Sequence, residues 1–147
     1  MRYIWLVGPQ ACGKSTLARD REWLKSHFDL EETIVVRFSH DDASPSMLRA
    51  FARQDGVQAV VQVWQWRTHA HLQWLYSLVE HKEIEVYLIK PHLADWAQWY
   101  EAKYSPVDGD YLMRMWHRVR RLLRDTVPKF EVIQLPKNKE TQDNDND

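Results

Sequence analysis

A chain of 147 residues is the size of one domain with its own core. Its formal net charge of −1 creates no global field that would demand nucleic acid or a membrane surface as partner. The single cysteine, Cys12, excludes an intramolecular disulfide and a cysteine-based structural zinc site; no apolar run approaches a membrane span, so a cytoplasmic protein is expected.

The chain opens on Arg2-Tyr-Ile-Trp-Leu-Val7, a short apolar β-former. It runs into Gly8-Pro-Gln-Ala-Cys-Gly-Lys-Ser-Thr16, which matches the pattern G-x-x-x-x-G-K-[ST] at every fixed position. A helix is expected from Lys14 to about His27, with Leu17, Ala18 and Leu24 at helical spacing among charged residues. Thr33–Phe38 is a β-branched second strand. Ser44-Pro45 opens a short helix reaching about Arg53, and the Asp55-Gly56 turn introduces a third strand over Val57–Val63.

Thr68–Glu80 is a helix with Leu72, Leu75, Leu78 and Val79 on one side. Ile84–Ile89 is a fourth strand, stopped by Lys90-Pro91. His92 to about Lys103 returns to helix, with Leu93, Trp96, Ala97 and Tyr100 spaced at three and four. Tyr104–Gly109 is a loop, and Asp110 then serves as N-cap for a helix to Asp125. Phe130–Leu135 is a fifth strand. The tail from Lys137 to Asp147 holds two lysines and four acids and no apolar residue, so it is expected to be disordered. Strands alternating with helices imply parallel pairing and one three-layer α/β domain over 1–136, with helices on both faces of a five-stranded, mainly parallel sheet.

The glycine-rich segment carries the clearest chemistry. Strand, glycine-rich loop and helix is the context in which successive amide N–H groups form an anion-binding concavity. A nucleoside triphosphate is the expected ligand, contacted by Gly8, Gln10, Ala11, Cys12, Gly13, Lys14, Ser15 and Thr16. Lys14 reaches the β- and γ-phosphates, and the Ser15 hydroxyl binds Mg²⁺. A thiol inside such a nest would have a lowered pKa, which makes Cys12 a candidate redox-sensitive group. No N-K-x-D motif and no apolar strand ending in Asp-Glu is present, which weighs against GTPases and motor ATPases and leaves small phosphotransferases.

A phosphotransferase needs a carboxylate near the acceptor hydroxyl. Phe38-Ser-His-Asp-Asp-Ala43 follows the second strand, whose carboxyl end shares a crevice with the loop. Asp41 is the candidate base, with Asp42 holding a metal-bound water or capping the next helix. On the helix after 109, Leu112, Trp116, Val119 and Leu123 form an apolar stripe, while Arg114, Arg118 and Arg121 form another face. Arg114, nearest the loop, is the candidate to neutralise charge on the donor phosphates as a lid over about 104–124 closes. His69, His71, His81, His92 and His117 show no metal-ligand spacing and read as structural or surface residues. Eight tryptophans are many for this length, and serve a core or the stacking of bases.

Together the loop, the Ser39-His-Asp-Asp42 step and Val107-Asp-Gly-Asp-Tyr-Leu-Met-Arg-Met-Trp116 resemble the bacteriophage and bacterial polynucleotide 5′-kinases, within the small adenylate-kinase-like P-loop kinases. The resemblance implies a P-loop kinase fold with a small helical lid. It implies ATP and Mg²⁺ as cofactors and the 5′ end of DNA or RNA as acceptor. Lys14, Asp41 and Arg114 become its catalytic set. The arginine that the family often carries three residues beyond the base is Ser44 here. Arg49, Arg53 or Arg67 is then expected to hold the acceptor phosphate, with Trp64 or Trp66 stacking on a terminal base. A small-molecule or nucleoside kinase of the same fold, and a non-catalytic nucleotide-binding module, remain as alternatives.

Overall fold

The computed structural model describes residues 2–31, 33–37, 57–65 and 84–138. The expected helices over 44–53 and 68–80, and the chain after Asn138, lie outside the described residues. Strand β1 (Arg2–Gly8) leads through the loop to α1 (Lys14–Arg19) and α2 (Arg21–Phe28). Then come β2 (Thr33–Arg37), β3 (Val57–Gln65), β4 (Ile84–Lys90), α3 (Leu93–Lys103), α4 (Gly109–Thr126) and β5 (Glu131–Gln134). The fold is mixed α/β, built on one sheet in the order β2-β3-β1-β4-β5 with every neighbouring pair parallel.

β1 is the centre of the molecule because it is apolar without alternation. Tyr3 to Val7 are all buried, as expected of a parallel strand covered on both faces. It pairs with β3 from Arg2↔Ala59 to Gly8↔Gln65, and with β4 from Tyr3↔Ile84 to Val7↔Leu88. At the β5 edge the pattern thins to one buried residue, Ile133. Two core tryptophans have their polar ends satisfied by backbone carbonyls. Trp96 and Trp116 are buried, and their indole N–H groups donate to the Gln10 carbonyl at 2.9 Å and the Ile89 carbonyl at 3.1 Å. With Trp5, these are core residues and not stacking surfaces for a ligand.

Two local expectations are corrected. The single helix expected from Lys14 to His27 is two helices, broken at Asp20. Asp20 leaves helical geometry (φ −86°, ψ 90°); its carboxylate accepts from Trp23 N at 3.0 Å, and its own N–H donates to Leu17 O at 3.0 Å. Aspartate is a strong N-cap, and capping offers its short side chain more than continuing the first helix would. At the start of α4 the cap is Asp108, accepting from Tyr111 N at 2.8 Å, and not Asp110.

One face of the segment expected to serve as a lid packs against the core. Leu112, Trp116, Val119 and Leu123 bury one stripe of α4, and the Trp116–Ile89 hydrogen bond ties that helix to β4. The tail is also fixed further than expected: Asn138 N donates to the carboxylate of buried Asp95 at 2.8 Å. Among the described residues, no helix is long and apolar enough to cross a membrane.

At the amino ends of β1 and β4, Arg2 makes a two-pronged pair with Glu85, at 2.7 and 2.6 Å, and also donates to the Phe28 carbonyl. Tyr87 Oη donates to Glu85 at 2.8 Å. Burial opposes the Glu85 charge, but the hydrogen bonds from Arg2 and Tyr87 and the guanidinium charge hold its carboxyl below the usual range. A lowered carboxyl pKa stabilises the fold at pH values above the unfolded-state pKa. That contribution disappears as pH falls through the folded-state value. Glu85→Gln is therefore expected to cost about 1–3 kcal/mol at pH 7, and less at an acid pH below the usual carboxylate range, where the folded-state charge is being lost. Urea midpoints at the two pH values measure this, and an equal gap at both would exclude the ionised carboxylate as its source.

Candidate functional site: a phosphate-type loop walled by helix α3

In the sheet order, the chain leaves β1 toward β2 on one side and leaves β4 toward β5 on the other. The crevice beyond the carboxyl ends of β1 and β4 is thus a topological switch point, where open α/β sheets bind ligands. The loop from Gly8 to Gly13 sits there. Ala11 (φ 59°) and Gly13 (φ 93°) both adopt left-handed backbone, and Lys14 begins α1 immediately after. Left-handed residues alternating with right-handed ones are how a chain turns consecutive amide N–H groups to one side.

Both glycines are required by space. A Cβ on Gly8 would lie 2.5 Å from the Cys12 sulfur, and one on Gly13 would lie 2.9 Å from the Trp99 ring. At Gly13 the left-handed backbone adds strain for any other residue. A cavity of about 580 Å³ opens over the loop, lined by Gln10 to Thr16, Val63, Asn138 and the end of α3. Its volume is in the range of small-molecule and cofactor sites.

Lys14 is 7% exposed and donates from Nζ to the Pro9 carbonyl at 2.9 Å. Burial lowers its pKa, the charge of Lys103 lowers it further, and the Cys12 sulfur acts in the opposite sense. Ser15 is half-buried and lines the cavity, so its hydroxyl is available to a ligand or to a metal carried by one. No carboxylate lines the cavity among the described residues. The result is a concave, cationic, amide-rich site that fits anionic oxygens.

The motif residues Gly8, Gln10, Ala11, Cys12, Gly13, Lys14, Ser15 and Thr16 are gathered at one place. Arg114 is not with them: it is exposed on α4, outside the residues lining the cavity. Asp41, Arg49, Trp66 and Arg67 lie outside the described residues. Chain connectivity still fixes where their segments start. β2 ends at Arg37 at the same end of the sheet as the loop, and β3 ends at Gln65, the register partner of Gly8. His92 has a structural role, its Nδ1 capping α3 by accepting from Ala94 N at 3.3 Å.

The expected low-pKa Cys12 is corrected. The thiol is fully buried, and burial raises its pKa more than Lys14 and the nearby amides lower it. The sulfur occupies the space that a Cβ on Gly8 would need.

Sequence reasoning missed the wall opposite the loop: Trp99, Lys103, Tyr104 and Asn138. A signal was present. Trp96, Trp99 and Lys103 stand at i, i+3 and i+7, one face of a helix that follows a strand adjacent to β1. That face tracks the loop: Trp96 bonds Gln10, Trp99 covers Gly13, and Lys103 lines the same cavity as Lys14.

No family model matches this chain, and no curated protein is similar to it. Among solved structures, the crystal structure of an uncharacterized protein from Eubacterium ventriosum aligns over 91% of this chain and 88% of its own, with 10% identity and a TM-score of 0.42. A de novo designed protein with a P-loop NTPase fold, solved by NMR, aligns over 85% of this chain and 92% of its own, with 11% identity and a TM-score of 0.35. Both likenesses are slight.

The buried thiol yields a direct expectation. Iodoacetamide at pH 7.5 should modify Cys12 at least about tenfold more slowly in the native protein than in urea-unfolded chain, because the reactive thiolate is both rare and covered. Equal rates, followed by mass spectrometry, would show that Cys12 is accessible in solution.

Proposed function

We propose that this protein is a P-loop phosphotransferase, which binds ATP over Gly8–Thr16 and transfers the γ-phosphoryl group to a hydroxyl, the 5′-OH of a polynucleotide. The observation that carries the donor half is the paired left-handed turn at Ala11 and Gly13 beside buried Lys14, opening onto a cavity without acids among its described lining. Right-handed crossovers in the order β2-β3-β1-β4-β5 favour α1 and α2 on one face and α3 and α4 on the other, the three-layer arrangement of such kinases.

In this reading the amides of the nest hold the β-phosphate, and Lys14 Nζ keeps its bond to the Pro9 carbonyl while its remaining N–H groups donate to phosphate oxygens. A charged partner then relieves the desolvation of its ammonium. The Ser15 hydroxyl would hold a Mg²⁺ ion brought in with the phosphates, and the ion would neutralise charge there. Asp41 accepts the proton of the attacking hydroxyl. Its segment follows β2, whose carboxyl end opens on the same side as the loop. Arg49 and Arg67 are the proposed acceptor-phosphate ligands, with Trp66 stacking on the terminal base. Trp66 and Arg67 are one and two residues beyond Gln65, the partner of Gly8. Arg114 lies outside the described lining of the cavity, so a donor role for it would need α4 to approach the loop.

Transfer of label from γ-labelled ATP to a 5′-OH oligonucleotide tests the whole reading, with nucleosides and buffer as competing acceptors. Lys14→Ala is expected to abolish ATP binding. Asp41→Asn is expected to reduce transfer by about 10²–10⁴-fold, the range for losing a general base, while ATP binding survives. Label in nucleosides alone would move the assignment to a small-molecule kinase. Binding without transfer to any acceptor would reduce the protein to a nucleotide-binding module.

A further inference from the structure

The cavity over the loop has a second cation that the motif does not supply. Lys103 is the last residue of α3, lines the cavity beside Tyr104, and acts electrostatically on Lys14. Its side chain comes from a helix that is fixed to the loop twice over. Trp96 donates to the Gln10 carbonyl, and the Trp99 ring lies against Gly13. The lysine is therefore carried by a rigid element whose distance from the nest is set by packing, as a preorganised binding group requires.

Two lysines line one cavity with no carboxylate among its described lining residues, and their like charges repel each other. An ordinary surface lysine has no such arrangement to explain. A multiply charged anion between them would turn that repulsion into two attractions. A single phosphate in the nest meets Lys14, whereas a chain of phosphates extends far enough to meet both sides.

We propose that Lys103 is a binding residue for the polyphosphate chain of a nucleoside triphosphate, gripping from α3 the phosphates that Lys14 and the loop amides hold from the other side. This rests on the nucleotide-binding reading above and adds a residue to it. Lys103 takes on the donor-side role for which the sequence put forward Arg114, and it does so without a large closing motion. Because Lys103 is exposed and far along the helix from its buried anchors, its charge serves the ligand and not the fold.

The test uses the full chain, titrated calorimetrically with ATP and with inorganic tripolyphosphate at two salt concentrations. Lys103→Gln is expected to weaken both ligands about tenfold, the usual scale for one charge-assisted hydrogen bond, and to make binding less salt-dependent. Lys103→Arg, which keeps the charge, should recover most of the affinity. Thermal midpoints of the unliganded variants should match wild type. Unchanged affinity in Lys103→Gln would overturn the proposal while leaving the nucleotide site intact. So would a loss that arginine does not rescue and that leaves the salt dependence unaltered. A wild-type protein that binds neither ligand would remove the nucleotide reading and this inference together.

Discussion

A loop that turns its amide N–H groups toward a ligand has a problem on its other side: its carbonyls still need donors. For two carbonyls of this loop the donors are side chains. The Gln10 carbonyl accepts from the buried indole of Trp96, and the Pro9 carbonyl accepts from Lys14. A buried carbonyl left without a donor would cost on the order of 1–3 kcal/mol, so these bonds are conditions of the loop's shape. The Trp96 bond has a further consequence. It joins α3 to the first loop of the chain across 86 residues and makes that helix the opposite wall of the cavity.

Once Trp96 is seated, helical geometry places the residues after it. Three positions on, Trp99 covers Gly13; seven positions on, Lys103 reaches the cavity. The far end of the strap is held as well. Asp95, beside Trp96 and equally buried, accepts from Asn138 N and brings the chain after β5 to the cavity's edge. The core and the candidate site therefore share residues. A substitution at Trp96 would act on both, whereas one at Lys103 would act on the site alone.

Much of the fold was legible because it is written locally. A short apolar run marked β1, the alternation of strands with helices marked parallel pairing, and glycines at two fixed positions marked the loop. The described strand and helix positions follow the expected order, with ends shifted by one or two residues. The errors share a physical cause. Asp20 could continue a helix or cap a new one, and capping prevailed through a hydrogen bond that periodicity does not reveal. The stripe Leu112, Trp116, Val119 and Leu123 says that α4 has an apolar face, but not that β4 receives it. Cys12 was assigned from the amides around it, while its buried position against Gly8 decides its chemistry. Lys103 was invisible for the same reason: it becomes a site residue only through what Trp96 and Trp99 touch. The carboxylate and arginines assigned to the acceptor, Asp41, Arg49 and Arg67, lie outside the described residues and rest on the sequence.

The sheet order also divides the labour of the proposed reaction. β1 stands between two halves: β4 on one side leads into α3, and β3 and β2 on the other lead into the segments that begin at Trp66 and Phe38. The donor wall is thus built from chain that follows β4, and the proposed acceptor groups from chain that follows β2 and β3. A kinase must hold two substrates whose reacting oxygens approach in line from opposite sides of one phosphorus. Placing the loop on the central strand lets the two grips arise from different stretches of chain. Under this arrangement the acceptor-side segments can vary in sequence without disturbing the bonds of Trp96 and Lys14 that shape the donor site. Acceptor identity is then the part of the function least constrained by the fold, and the loop's geometry the part most constrained by it.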